Sequence, residues 1–432
     1  MSTTIGFRRR VAKQLQRQAD LTPETLIVAL DLGKRQHAVW VTDPTRVPLA
    51  TWTMPNTPAG FTDLLRQTAD LSAQSGHRHV LFAMEPTSYF WKLAAQQLTD
   101  HGARYRLVHP LSVRRARDER RYTWAKGDRI DAELIASLVA QGTWLDKQLE
   151  QGPWATWESL ALARVQLVQQ RADTRRELHA LVALVFPTYP YLPHCVTSPG
   201  SLAILGACPT PAQIQCLPAH EFVHRIRTHY RAARFSPRRT LRVYEAAQRS
   251  WGLRAGARAA SVRIRGAVAR YTLITQQIRE MERHLIRFYR ASGAHTLLDT
   301  IPGLRAPMAS TLLGLIGPVQ RYDRSRCLIR LAGAEPTENA SGTSQGKTPI
   351  SHRGRGYLRL AAYQAAMALI RHNPEFRARY QWLTTRPQHP LPLVAARLAV
   401  ADKLLRTIYT MLITRRSYDP SVARGEGREQ RA

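Results

Sequence analysis

The sequence predicts an α/β domain with a mixed sheet at the N-terminal end and an all-helical remainder. Strand-like apolar runs recur over residues 26–110, the first three separated by short gaps and the later ones by helical segments. Beyond residue 150, apolar residues recur at helical spacing instead. With 432 residues, 44% of them hydrophobic, the chain is long enough for two or three domains with separate cores.

The order of hairpins and crossovers in the N-terminal part defines the predicted sheet. Short gaps predict hairpins between the first three strands, and a helix precedes each of the last two strands. Such a chain forms a mixed sheet, because hairpins join antiparallel strands and helical crossovers join parallel ones. The predicted elements are strands 26–33, 37–43 and 50–56, helix 58–69, strand 80–88, a helix ending at Gly102, and strand 105–110.

Two long helices are predicted for the middle of the chain, residues 153–292. The first ends at Pro187 and has apolar residues on one face, and the second repeats apolar residues at steps of seven. This spacing suits either a coiled coil or an amphipathic helix packed on its own domain, and it does not decide between them. The residues concerned are Leu160, Leu167, Leu178, Leu181 and Val185 in the first helix, and Ile264, Tyr271, Ile274, Ile278, Met281, Leu285 and Phe288 in the second.

A Pro-rich, basic insert, residues 187–254, separates the two long helices and contains the run RTHYRAARFSPRRTLR. Arginine with interleaved tyrosine and phenylalanine suits phosphate contacts and base stacking. A solvated charged surface is an equally good interpretation, so the role of the insert stays open. Cys208, Cys216, His220 and His224 are conceivable zinc ligands, but no C-x-x-C pair anchors them, and ordinary core and surface positions are the favoured interpretation.

A compact helical domain is predicted from residue 295 to 418. It opens with HTLLDTIPGLRAPMASTLLGLIG, the pattern of a helix–hairpin–helix element whose glycine turn offers backbone N–H groups to a DNA phosphate. A loop rich in Gly, Ser and Thr (335–356) comes next, followed by helices at about 357–372 and 391–415. The remaining tail, 419–432, is expected to be disordered.

The chain carries 63 Lys and Arg against 31 Asp and Glu, a formal net charge of +32. An excess of this size repels itself unless a polyanion neutralises it, and the usual polyanion is nucleic acid. A membrane is the rival partner, but no apolar run reaches 18 residues, so no membrane span is expected. The basic extension of residues 1–25 lacks the apolar core of a signal peptide, and four scattered cysteines suit a reducing cytoplasm.

Four acidic residues occupy positions from which they converge in an α/β layer. Asp31 and Glu85 end the first and fourth strands, where side chains face the ligand crevice. Asp128 and Asp131, three residues apart, share the side of the predicted helix KGDRIDAELIASLVAQG that packs toward the sheet. Each acid alone could be a turn or helix-cap residue. Together, in so basic a protein, they predict a divalent metal site, and Mg²⁺ prefers such oxygen ligands and supports phosphodiester chemistry.

Three N-terminal segments resemble the RuvC-like (ribonuclease H-like) domain of the DEDD transposases, a family that includes the Piv-type DNA invertases and RNA-guided insertion-sequence recombinases. These segments are DLGKRQHAVWVTD, AMEPTSYFW and VHPLSVRRARDERRYTWAKGDRIDAELIA, and the four acids match the family's acid series one for one. The family's C-terminal transposase domain is similar to DTIPGLRAPMASTLLGLIG, LAGAEPTENASG and HRGRGYLRLAAYQAA. The resemblance covers about 26–142 and 295–375, and it implies a catalytic domain over residues 26–145.

The resemblance also implies a serine nucleophile and several partners. The family's Ser-Gly motif follows Leu-Ala-Gly-x-x-Pro and maps to Ser341, with Ser344 as a close competitor. It implies a phosphoserine link to double-stranded DNA at element ends and target, Mg²⁺, a structured guide RNA, and a homo-oligomer, dimer or tetramer, with a shared active site. Basic residues near these motifs are expected to bind nucleic acid: Arg114, Arg115, Lys126, Arg129, Lys347, Arg353, Arg355 and Arg359.

The sequence thus predicts a transposase or site-specific recombinase of an insertion sequence, acting at the nucleoid of a bacterium or archaeon. One alternative is a RuvC-like junction-resolving nuclease that uses the four acids and water alone, although the long C-terminal domain is superfluous for simple hydrolysis. A non-catalytic nucleic-acid binder is the third hypothesis. It is disfavoured because four acids at one site weaken binding to a polyanion unless metal is recruited.

Overall fold

The protein forms two compact units, Met1–Gln151 and Gly152–Ala432. The first contains a five-stranded mixed sheet flanked by helices, and the second is mostly helical, as the sequence predicts. Within the described residues, no helix combines the length and apolarity needed to cross a membrane. The computed structural model describes residues 2–86, 89–119, 127–145, 148–229, 236–337, 340–341, 344–345 and 350–421.

The first unit contains all five predicted strands, each within a few residues of its predicted bounds. Its helix after the third strand runs five residues past the predicted end, because its buried face continues to Ser72. The helices at Ser2–Ala19 and Pro110–Glu119 were not predicted, since both sequences are strongly basic and lack a clear apolar period. The elements are α1 (Ser2–Ala19), β1 (Thr25–Leu32), β2 (Gln36–Thr42), β3 (Pro48–Pro55), α2 (Pro58–Gln74), β4 (His79–Met84), α3 (Phe90–Asp100), β5 (Arg104–Leu107), α4 (Pro110–Glu119) and α5 (Asp128–Ala140).

The sheet has the strand order β3-β2-β1-β4-β5. The hairpin-linked strands β1, β2 and β3 pair antiparallel, whereas β1 with β4 and β4 with β5 pair parallel. The predicted mixed sheet is therefore confirmed. In the parallel register Leu30 lies beside Met84, so the next residue of each chain segment, Asp31 and Glu85, stands at the same edge of the sheet.

The central strand β1 is covered on both faces, which explains its nearly continuous apolar sequence. Alternate side chains of a strand point to opposite faces. Leu26, Val28 and Leu30 therefore pack on one side with α2 and α3, whereas Ile27 and Ala29 pack on the other side with α4 and α5. Continuing this alternation, Asp31 points to the side of α4 and α5.

The second unit is built on two long helices and a series of shorter ones. The helices predicted near 357–372 and 391–415 are present, and a helix between them was not predicted. Its start is nevertheless encoded, because Asn373 caps it with two hydrogen bonds and Pro374 occupies the first position. The elements are α6 (Gly152–Val185), α7 (Leu192–Cys195), α8 (Pro199–Ala207), α9 (Pro211–Gln215), α10 (Ala219–His229), α11 (Pro237–Gln248), α12 (Ala257–Ala291), α13 (His295–Leu298), α14 (Ala306–Ile316), a 3-10 turn (Val319–Arg321), α15 (Arg326–Ala332), β6 (Ala340–Ser341), β7 (Ser344–Gln345), α16 (Gly356–His372), α17 (Pro374–Thr385) and α18 (Leu393–Thr414).

Helices α6 and α12 pack side by side in antiparallel orientation. The guanidinium of Arg164 on α6 donates from Nε and Nη2 to Oε1 of Glu282 on α12, at 3.0 and 2.7 Å. Thirteen residues later on α6, Glu177 pairs with Arg270, which lies earlier on α12. Ile274, Ile278 and other apolar residues of the predicted face of α12 are buried in this arrangement.

Two hydrophobic cores occupy opposite ends of this helix pair. One core joins the start of α6 and the end of α12 to α14, α15, α16 and α18. The other joins the end of α6 and the start of α12 to the insert. The insert is thus a small helical module with buried aromatic residues of its own, Tyr189 and Phe222 among them.

Candidate active site

The first pair of predicted acids stands where two parallel strands end. Asp31 is the penultimate residue of β1, and Glu85 directly follows β4. Leu81 and Ala83 of β4 pack on the same side as Ile27 and Ala29 of β1. The alternation of side chains therefore directs both carboxylates to the side of the sheet that α4 and α5 cover.

The second pair of acids opens helix α5. Asp128 is its first residue and Asp131 lies in its first turn, after an extended Gly127 that provides the N-cap position. Negative side chains are favourable there because the helix N-terminus carries partial positive charge. Ile135, one turn after Asp131, is fully buried against the sheet, so α5 presents Asp131 to the strand ends.

The electrostatics of Asp31 show that the four predicted acids share one neighbourhood. Burial, and then the negative charges of Asp131, Asp128 and Glu85, raise the pKa of Asp31 to about 7, against the lowering effect of Arg117. Burial and the charge of Asp131 likewise raise the pKa of Glu85, again against Arg117. Negative charge at this edge of the sheet therefore exceeds the positive charge beside it.

Arg117 on α4 is the cation that enters this cluster. Its Nε donates to Oδ1 of Asp131 at 2.8 Å, and its Nη2 lies 2.6 Å from Oδ2. Two parallel contacts from one guanidinium to one carboxylate form a strong, directional pair. Arg117 does not stand out in its arginine-rich sequence. A usable signal was its position four residues after the buried Val113, which places it on the inward face of α4.

The donor chemistry of this cluster fits a hard divalent cation. Carboxylate oxygens are the ligands that Mg²⁺ and Mn²⁺ take, and a bound cation relieves the repulsion that raises the pKa of Asp31. The ligand geometry is not assembled among the residues that the structure describes, since no three of their His, Cys, Asp and Glu side chains stand close enough to hold one ion. The same holds for the zinc alternative, in which Cys208 is buried and Cys216 is exposed.

The basic residues expected beside the acids occupy different environments. Arg114 and Arg115 are exposed on α4, and Arg114 pairs only loosely with Asp118, at 3.9 Å. Arg129, also exposed, places its guanidinium carbon 5.3 Å from the ring centre of Trp40. Lys126 lies outside the described residues.

The two candidate serines pair across a short hairpin in the C-terminal part. Strands β6 and β7 are antiparallel, with Ser341 opposite Ser344 and Ala340 opposite Gln345. Residues opposite each other in such a pair have Cα atoms about 5 Å apart. Both serines therefore lie at the same level of one hairpin, and the backbone does not select between them.

The segments leading into and out of this hairpin are tied together at its base. Ser351 donates its N–H to the carbonyl of Glu335 at 2.8 Å, and His352 donates to the carbonyl of Gly333 at 3.0 Å. The Glu335 carboxylate in turn accepts hydrogen bonds from Arg326 and Arg330 of α15. The described residues on either side of the hairpin therefore form a hydrogen-bonded frame, which no sequence pattern predicted.

Two of the arginines expected to hold phosphate are engaged within this frame. Arg355 donates to the carbonyl of Leu315 at 2.5 Å and pairs with Glu158 at 3.0 Å. Arg359 donates to the carbonyl of Ala332 at 2.7 Å. Arg353 is exposed, and Lys347 lies outside the described residues. In this structure Arg355 and Arg359 stabilise the frame of the hairpin.

Two family profiles match the chain, one from the first unit through α6 and the other within the second unit. Residues 28–187 match the DEDD-type profile of IS110 elements, described as Transposase. Residues 295–381 match the profile described as Transposase IS116/IS110/IS902 family. Together the two matches cover more than half of the sequence, and they fall on the regions that carry the acid cluster and the serine hairpin.

Two similar proteins are also named as transposases. The mini-circle protein of Streptomyces coelicolor, named as a transposase for IS117, is 23% identical over 408 residues, which span 91% of this chain and 95% of the relative. The transposase for insertion sequence element IS1111A of Coxiella burnetii is 29% identical over 97 residues, 22% of this chain and 27% of the relative.

The α/β domain, the helical remainder and these matches define a transposase, an enzyme that cuts and rejoins DNA. The chain belongs to the IS116/IS110/IS902 family of insertion-sequence transposases. The DEDD character of the N-terminal match implies that a divalent metal ion takes part in the reaction.

Proposed function

We propose that this transposase cleaves and exchanges DNA strands in a Mg²⁺-dependent reaction, with Ser341 as nucleophile. The observation that carries the proposal is that Asp131, Asp128 and Glu85 all act, after burial, to raise the pKa of Asp31 in a strongly basic protein. The working parts are a RuvC-like catalytic domain over residues 26–145 and a transposase domain over residues 295–418. The strand order β3-β2-β1-β4-β5, with one antiparallel and one parallel half, supports the ribonuclease H-like assignment.

In this proposal the carboxylates bind the metal ion, and the serine breaks and re-forms the phosphodiester bond. Asp31, Glu85, Asp128 and Asp131 would hold Mg²⁺, which when bound stabilises negative charge on a phosphodiester oxygen. The Ser341 hydroxyl gives up its proton to a carboxylate or water as its oxygen attacks phosphorus, and the bond from phosphorus to a deoxyribose oxygen breaks. A deoxyribose hydroxyl of a second strand then attacks the phosphoserine, which rejoins DNA and releases the serine.

The proposed partners follow from charge and from the family. Double-stranded DNA of the element ends and target is the substrate, and a structured guide RNA and further copies of the chain complete the assembly. The net charge of +32 and exposed arginines such as Arg114, Arg115 and Arg353 support polyanion binding. Such an assembly would work at the nucleoid in the cytoplasm.

The test is a covalent adduct assay with DNA that carries the element ends. Wild-type protein with Mg²⁺ is expected to leave a denaturant-resistant protein–DNA adduct, and Ser341→Ala is expected to abolish it. Ser344→Ala is the matched control from the opposite strand of the same hairpin and should retain the adduct. Asp131→Asn should lose both adduct and cleavage.

The same assay separates the water-only nuclease. If Ser341→Ala still produces free DNA ends at the wild-type rate, hydrolysis by the carboxylate site accounts for cleavage, and the serine mechanism is wrong. If Ser344→Ala alone loses the adduct, the nucleophile is Ser344.

A further inference from the structure

The outer face of α11 in the insert is basic and faces solvent. Its inner face, including Val243 and Ala247, is buried in the core of the module. Arg238, Arg242 and Arg249 fall on the outer side at spacings of four and seven residues, and all three are exposed. From Arg238 to Arg249 this row extends about 16 Å at 1.5 Å per residue. Glu245 also lies on this face, so the row is strongly but not purely basic.

Trp251 stands at the C-terminal end of this row with 79% of its surface exposed. An indole left in water forgoes the burial that usually stabilises large aromatic side chains, which marks it as available to a partner. Leu253, two residues further on, and Leu184, which accepts the Leu253 N–H, are also about half exposed, at 49% and 52%. The result is a small apolar platform within a basic surface.

The backbone around Trp251 is fixed, so the exposed ring is not at the tip of a loose loop. Leu253 donates its N–H to the carbonyl of Leu184 at 3.0 Å, and Ser250 donates to Ala247 at 3.2 Å. Gly252 lies so close to α6 that an added Cβ would come within 2.0 Å of the carbonyl oxygen of Val185. These contacts hold the platform in place before any partner arrives, which lowers the entropy cost of binding.

Several arginines near the platform have no acidic partner among the described residues. Arg249, two residues before Trp251, and Arg254, three residues after it, form no ion pair with any other described residue, and the same is true of Arg258. By contrast, Arg263 and Arg270 further along α12 share an ion pair with Glu177. Unpaired positive charge beside an exposed aromatic ring matches a ligand that has both phosphates and flat bases.

We propose that this surface, defined by Arg238, Arg242, Arg249, Trp251 and Arg254, binds an unpaired segment of nucleic acid. The arginine row holds successive phosphates, and one base stacks on the indole of Trp251. An unpaired strand is required because bases inside a duplex are stacked on each other and do not offer a free face. The proposal deepens the proposed function, since it assigns the insert to the nucleic-acid partner. The strand is either RNA or separated DNA, and both share this chemistry.

The first experiment measures binding of labelled single strands of about 15 nucleotides, oligouridine and oligothymidine, and of a duplex of the same length. Trp251→Leu keeps an apolar side chain but removes the aromatic face, and it is expected to weaken single-strand binding by roughly 5- to 150-fold. Duplex binding should stay at the wild-type level. Trp251→Phe, which keeps an aromatic ring, is the matched control and should retain most of the affinity. A larger effect with oligouridine assigns the site to RNA, and a larger effect with oligothymidine assigns it to DNA.

The second experiment tests the arginine row. The triple variant Arg238→Gln, Arg242→Gln, Arg249→Gln should lower the dependence of log affinity on log salt by about 2, since each single-strand phosphate contact contributes about 0.7. The proposal is wrong if Trp251→Leu binds both oligomers as tightly as the wild type, or loses duplex binding by the same factor. Because Trp251 is exposed, the variants should melt at the wild-type temperature. The assay needs no catalysis, so its failure is distinguishable from failure of the adduct assay.

Discussion

Two effects disfavour the charged form of the Asp31 side chain. It lies on a buried strand, where burial disfavours a charge, and it is near three other acids, which disfavour it further. Together these effects raise its pKa to about 7 from an ordinary value of 3.8. Without a divalent ion, the folded protein therefore holds this proton more tightly than the unfolded chain does. The resulting stability is fully present below about pH 4 and is lost as the pH rises through about 7.

Asp31→Asn should remove this pH dependence. In chelator at pH 8, the variant is expected to have a higher free energy of unfolding than the wild type, by roughly 1–3 kcal/mol, because one pKa unit corresponds to about 1.4 kcal/mol and partial solvent access reduces the effect. Urea unfolding at pH 5 and pH 8 measures it. Asp63→Asn, which alters an exposed surface pair with Arg66, is the control and should follow the wild type. Equal pH dependence in wild type and Asp31→Asn would contradict the assignment.

For single residues, the positions of the four acids could be predicted from the sequence, but the arginine that pairs with Asp131 could not. Asp31, Glu85, Asp128 and Asp131 could be placed because strand ends and a helix start are readable from apolar spacing. Arg117 is not singled out by the sequence, since its partner is 14 residues away and several other arginines stand close to it in the sequence. Its spacing of four from Val113 distinguishes it only once α4 is known to be a helix that packs inward at Val113.

Helix α14 packs closely against α6. At Gly314 an added Cβ would lie 2.6 Å from Cδ1 of Trp157 and 2.8 Å from Cβ of Ala161. The indole has little room to yield, because it stacks on Trp154 at 4.7 Å and donates its N–H to the carbonyl of Ser310 at 2.9 Å. A glycine at this position lets the two helices approach.

Gly314→Ala should therefore destabilise the second unit, whereas Gly266→Ala should stabilise it. The first substitution overpacks a buried contact, at an expected cost of about 1–3 kcal/mol or more. The second lies within α12 with no atom within 4 Å of the new Cβ, so only the gain in helix propensity remains, about 1 kcal/mol. Thermal and urea unfolding of both variants measure the difference. Equal melting temperatures for the two variants would refute the packing argument.

Prediction of the elements succeeded where apolar periodicity is strong and failed where it is weak. The five strands and the helices α16 and α18 have such a period. Helices α1 and α4 have mostly basic sequences, and tertiary contacts stabilise them instead. For α1, these include the side chain of Gln14 donating to the carbonyl of Gln141 at 2.9 Å. The spacing allowed two arrangements for α6 and α12, and only the structure shows that they lie antiparallel.

For the molecule as a whole, charge dominates the expected behaviour. With 63 Lys and Arg against 31 Asp and Glu, about half of the basic residues have no acidic residue to match them. Some ion pairs stabilise the fold, such as the one between Arg164 and Glu282. The remaining positive charge must be neutralised by a partner outside the chain. Nucleic acid with its condensed counterions does this, and release of those ions drives binding.

DNA affinity should therefore fall steeply with salt. If six to ten phosphates are contacted, raising the salt from about 50 to about 200 mM should weaken binding by about 10³- to 10⁵-fold. Equilibrium binding to a labelled duplex at several salt concentrations gives the slope, and thermal unfolding over the same range confirms that the protein stays folded. A nearly flat dependence would mean that the excess charge does not serve nucleic-acid binding.

The antiparallel helix pair also sets a length scale. On α6, the residues of the C-terminal core centre on Ala161 and those of the insert core centre on Val182, so at 1.5 Å per residue the two cores lie about 30 Å apart along the helix pair. At about 3.4 Å per base pair, this interval equals about 9 base pairs of duplex. A nucleic acid that contacts both ends of the helix pair must span at least that distance, so the helix pair sets the smallest substrate that can reach both cores at once.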